Sequence, residues 1–136
     1  MLNKKQILAA PDIKSELVHV PEWGGDVMVY GMTGTQRGEL EASILEIKGE
    51  DQTVRLQFLK VRMCALTIRD EEGRRMFDDD EIGELGAKSS QAIERIYTVA
   101  SRLSGMDKKE VEKLAKNLVS EAKNDSGSVS PLPSEA

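Results

Sequence analysis

Apolar positions crowd most densely between residues 54 and 66, where Val54, Leu56, Phe58, Leu59, Val61, Met63, Cys64, Ala65 and Leu66 leave little polar circumference. An element apolar around most of its girth is usually buried on most of it. Val54, Leu56 and Phe58 alternate as a strand would, but Leu59, Met63 and Leu66 keep helical spacing, and the length of the run predicts a buried helix. Upstream, residues 15–20 (SELVHV) read as a strand ended by Pro21. Residues 26–30 (DVMVY) read as a second, with Val27 and Val29 on one face and Met28 and Tyr30 on the other. Glu22-Trp23-Gly24-Gly25 between them predicts a hairpin, which alone is marginal and must lean on helices.

Local signals bound the remaining elements. Thr33 and Gln36 stand three apart, as a capping box requires, and open a helix to Ile47 with Leu40, Ile44 and Ile47 on its stripe. Residues 48–51 (KGED) break it. Asp70-Glu71-Glu72-Gly73 predicts a second hairpin with positive φ at Gly73, its arms carrying Ile68 and the Met76/Phe77 pair. Asp78 and Glu81 form another box, with Phe77 stapling onto Ile82 in a short helix over 79–85. Residues 87–103 carry the clearest helical stripe, Ile93, Ile96, Tyr97, Ala100 and Leu103, stopped at Ser104-Gly105. Met106, Asp107, Glu110 and Val111 repeat the staple and box before a last helix, 107–123. The expected fold is α+β, mainly α-helical, with four to five helices and two β-hairpins. Residues 1–14 form a mobile lead-in where Pro11 stops any helix begun at Lys4. Residues 15–123 form a single domain, and the Ser/Pro-rich 124–136 a disordered tail.

Composition narrows the chemistry. A net charge of −5 disfavours nucleic-acid and anionic-membrane binding, and no apolar run reaches the ~20 residues of a membrane span. The single cysteine forms no internal disulfide and, in so apolar a segment, belongs to the core. His19, alone in a predicted strand, builds neither a zinc site nor a triad. The glycines form no Walker or dinucleotide loop, and the phosphate-loop-like MTGTQRG lacks the lysine and the spacing. Asp78–Asp79–Asp80–Glu81 reads as helix capping rather than a metal site, since a hard-cation loop spaces its ligands around a Gly bend. Arg55, Lys60 and Arg62, with Arg69, Arg74 and Arg75, read as a solvated, salt-bridged face. Trp23 either anchors a partner from the hairpin tip or folds back onto helix 34–47. No catalytic, metal or cofactor-binding residue emerges.

The order of these pieces resembles a known family. PEWG at 21–24, MTG at 32–34 with Arg37, and the 70–77 hairpin ahead of 78–85 are similar, over residues 17–117, to tail assembly chaperones of long non-contractile-tailed bacteriophages. The resemblance implies a non-enzymatic factor, without cofactors, acting in the host cell cytoplasm. It would bind the coiled-coil tape measure protein, keep it soluble and help tail tube protein polymerise around it. Partner-binding residues would be Trp23, Tyr30 and Arg37, and homo-oligomers would form along the client. Helices 87–103 and 107–123 could lay their stripes against the client, although a domain this small is expected to spend most of them internally. A frameshifted longer product would use the Ser/Pro tail as a linker. The competing readings are a structural minor tail or connector protein of the virion, and a small regulator or enzyme.

Overall fold

The structure, a computed structural model, describes residues 1–123, with side chains of the last helix described as far as Lys116. The tail expected to be disordered lies outside the described residues. Among them are six α-helices and a three-stranded antiparallel sheet. The α+β, mainly helical expectation holds.

The chain opens with α1 (Lys4–Ala9), where the sequence reading has only a lead-in. Asn3 and Gln6 cap it reciprocally, and six residues fit before Pro11. β1 (Ser15–Val20) pairs with β2 (Gly25–Tyr30) in a register that sets Leu17 opposite Met28 and His19 opposite Asp26. A 3-10 turn over Pro21–Trp23 joins them, closed by Gly24 at φ 73°. β2 then pairs with β3 (Ile68–Arg69), giving the order β1-β2-β3.

α2 (Gly34–Ala42) starts at the Thr33/Gln36 box and tightens into a 3-10 segment, Ser43–Ile47, instead of continuing as one α-helix. α3 (Gln52–Thr67) is the pillar of the molecule. Asp51 caps it, accepting from Val54 N–H at 2.9 Å. Leu59, Met63, Cys64, Ala65 and Leu66 are fully buried. The Leu and Met side chains among them each contribute about 1.5–3 kcal/mol relative to exposure. Only the first turn departs from the expectation, with Val54 exposed.

After β3 the chain turns at Gly73, φ 81°, as predicted. The returning arm forms no strand of its own. It is held by a single bridge between Arg69 and Arg75 and by Met76 N–H to the Ile68 carbonyl at 3.1 Å. A 3-10 turn (Asp79–Glu81) leads into α4 (Ile82–Gly86). α5 (Ser90–Leu103) starts three residues later than the apolar stripe predicts, because Ser89 takes the cap. Its end is a Schellman motif: Gly105 N–H donates to Arg102 and Met106 N–H to Ser101, with Gly105 at φ 68°. α6 (Lys108–Lys123) begins at the Asp107/Glu110 box, with Met106 and Val111 buried beside it.

The core lies between the sheet's inner face and the helices. Val18, Val20, Val29 and Ile68 point inward, α5 packs on β1 and β2, and α3 packs on α4, α5 and α6. The stripes of α5 (Ile93, Ile96, Tyr97, Ala100) and α6 (Val111, Ala115) are therefore buried inside the domain. Among the described residues, these side chains are not offered to a client. Gly31 marks the tightest approach: a Cβ there would stand 2.6 Å from the Leu103 carbonyl oxygen, and Met32 N–H bonds Ser104 Oγ at 2.9 Å.

Candidate partner-binding face

Strand alternation leaves the sheet a second, open face. With Val18, Val20 and Val29 turned inward, Ser15, Leu17 and His19 of β1 and Asp26, Met28 and Tyr30 of β2 turn outward. Leu17, Met28 and Arg69 stand in one row across the three strands. The Arg69 guanidinium lies 4.3 Å from the centroid of the Tyr30 ring, a cation–π contact that holds both side chains over the sheet. His19 Nδ1 lies 2.8 Å from Asp26 Oδ1 across the same pair of strands.

The returning arm after Gly73 adds a wall to this face. Together they enclose a concavity of about 600 Å³ lined by Leu17, Met28, Tyr30, Arg69 and Met76 and by the carboxylates of Asp26, Asp70, Glu71 and Glu72. Leu17 is 60% and Met76 48% exposed. Asp70 accepts from Glu72 N–H and Arg74 N–H at 2.9 Å, which fixes the wall, and Arg74 lies near both Asp70 and Glu72. Among the described residues Glu71 has no ion-pair partner. The result is an apolar floor with a predominantly acidic rim.

The residues singled out from sequence do not converge. Tyr30 belongs to this face. Trp23 lies elsewhere: half-buried, it lines a separate hollow of about 270 Å³ with Phe77, Glu84, Leu85 and Lys88. It folds back as one reading expects, but onto the α4 and α5 side rather than α2, and its indole N–H is buried without a partner among the described residues. Arg37 ties α2 to the start of α6 through Glu110 at 3.8 Å and also pairs with Glu41 at 3.5 Å. Leu17, Met28 and Met76 carry the face, and the sequence reading passed over them. The signal was the period-two pattern itself, apolar on both faces of β2.

Two cations taken for solvated ones are buried. Arg55 is 2% exposed, donating through Nε to the Ala115 carbonyl at 3.0 Å and through Nη1 to the Glu50 carbonyl. Arg62 is 6% exposed and reaches Asp79 at 3.3 Å. The Arg75 guanidinium, 2.7 Å from Asp79, holds that carboxyl below the usual range, with Arg62 adding to the effect. Carboxylates of Asp78, Asp80 and Glu81 come within 4.8 Å of one another, but Glu81 Oε1 is engaged by Asp78 N–H at 2.8 Å. Cys64 is fully buried, and burial pushes its thiol up to about 12. His19 is exposed on the sheet. No described helix is long and apolar enough to cross a membrane.

Comparison with known proteins gives one result. The sequence model of a family described as phage tail assembly chaperone matches residues 3–116. No curated protein and no solved structure matches.

Proposed function

Because the chain belongs to the phage tail assembly chaperone family, we propose that it binds the tape measure protein in the host cytoplasm, keeps it soluble and promotes assembly of tail tube protein around it. Its docking surface in this reading is the outer face of the sheet. The observation that supports this is the apolar floor of Leu17, Met28 and Met76, left open while the described stripes of α3 and α5 are buried in the core. A long coiled-coil client shows apolar stripes until it is sheathed, and covering them requires an apolar patch with a charged border. Met28 and Met76 suit the task, since unbranched thioethers repack around varied apolar surfaces. Tyr30, stiffened by Arg69, supplies an aromatic anchor at the edge. The protein carries out no reaction in this reading.

Co-expression with the tape measure protein of the same genome tests it. The expected outcome is a larger soluble fraction of the tape measure protein and its recovery together with this chain. An unchanged soluble fraction contradicts the proposal. Mass spectrometry of purified particles addresses the alternative, because a chain retained in the virion in stoichiometric amount is a structural minor tail or connector protein.

A further inference from the structure

The outer concavity is charged as well as apolar, and its charge is lopsided. Met28 stands opposite Arg69 and the two strands run antiparallel, so the chain past Arg69 heads toward the Asp26 end of β2. Asp70, Glu71 and Glu72 therefore gather with Asp26 at one end of the floor, while Arg69 lies over the Tyr30 ring toward the other. Asp26 already has His19 Nδ1 at 2.8 Å, and Asp70 accepts from the Glu72 and Arg74 N–H groups. Arg74 is 3.9 Å from Asp70 and 3.6 Å from Glu72, with its side chain 75% exposed, which is too loose to neutralise both. Glu71 has no ion-pair partner among the described residues. Negative charge is left over at this end of the floor.

That surplus selects among apolar segments. A stripe bordered by Asp or Glu would bring like charges against Glu71 and Glu72 as the contact loses water, whereas one bordered by Lys or Arg would pair with them. The net charge of −5 acts in the same sense at longer range. Residues 124–136 of this chain carry Asp125 and Glu135 and no cation, so they complement the face poorly. We infer that the outer sheet face takes an amphipathic helix bordered by cations. Its apolar side chains, one helical turn apart, sit on Leu17, Met28 and Met76, and its Lys or Arg residues lie over Glu71 and Glu72. The floor supplies adhesion for any apolar stripe, and the two glutamates decide which stripe is accepted. The inference rests on the docking reading above and names the chemistry of the segment that docks.

Fluorescence anisotropy with labelled synthetic helices, titrated with the full chain, tests it. Two peptides of roughly twenty residues share one Leu stripe, the first bordered by Lys and the second by Glu. The Lys-bordered peptide is expected to bind about tenfold tighter at low salt, and its advantage to shrink as ionic strength rises from about 0.05 to about 0.5 M. Glu71 and Glu72 are exposed, so Glu71→Gln with Glu72→Gln should keep the wild-type melting profile and erase the preference. Glu71→Lys with Glu72→Lys should invert it. Equal binding of the two peptides, binding of neither, a preference untouched by these variants, or tighter binding of a peptide of residues 124–136 overturns the inference. Equal binding that Leu17→Asp with Met76→Asp abolishes overturns the inference alone and leaves the docking reading intact. Full rescue of co-expressed tape measure protein by that floor variant removes the docking reading instead, whatever the peptides prefer.

Discussion

Gly31 shows how one missing methyl group sets the geometry. The strand end meets the end of α5 so closely that any Cβ collides with backbone, which cannot swing aside as a side-chain tip would. Gly31→Ala is therefore expected to cost about 1–3 kcal/mol by urea unfolding. Asp79 makes a second test. Its folded-state pKa is depressed by Arg75 and Arg62, so its contribution is complete above the unfolded value and is lost as pH falls through the folded one. Asp79→Asn should flatten the acid limb of the stability curve below about pH 4. At neutral pH it should cost only about 0.5–1 kcal/mol, because the carboxylate is well exposed and screened. Residue-scale chemistry was partly legible in the sequence. Cys64 in the core and the Gly73 turn follow from local context. The burial of Arg55 and Arg62 does not, since their position beneath α6 and the Asp79 turn exists only once the helices have packed.

At the scale of elements, the capping boxes at Thr33, Asp78 and Asp107 and the glycine stop at Gly105 placed helix ends well, because those signals act within a few residues. β1 was legible to the residue for a similar reason: Pro21 ends it, and its apolar period is clean. What escaped was set by packing or by very short range. The 3-10 tightening after Ala42, the returning arm that makes only one bridge, and the side on which Trp23 folds all depend on partners distant in sequence. α6 is the element most exposed to a single change. Arg55 grips its Ala115 carbonyl and the Glu50 carbonyl from beneath, and its Nη2 stays unpartnered among the described residues. Removing the side chain leaves a cavity and frees the carbonyls. Arg55→Ala is expected to destabilise the protein by about 2–4 kcal/mol. Hydrogen exchange should show the first turns of α6 losing protection before α3 does.

For the whole molecule, the division of labour between its surfaces matters most. α5 turns its stripe inward against α3, while the outer sheet face stays an open apolar concavity with a charged rim. Its components were present in the sequence as Met28 and Tyr30 opposite Val27 and Val29, but the wall that makes the face concave comes from residues 70–76, some forty positions away. No pattern along the chain announces that meeting. The docking reading is tested most directly by substituting the floor while leaving the fold alone. Leu17→Asp combined with Met76→Asp changes two exposed side chains and should alter stability by no more than about 0.5 kcal/mol per site. The soluble fraction of co-expressed tape measure protein is then measured beside wild type. The account predicts that the variant melts as wild type does and loses the rescue, with the tape measure protein returning to the pellet. Full rescue by a correctly folded variant would contradict it.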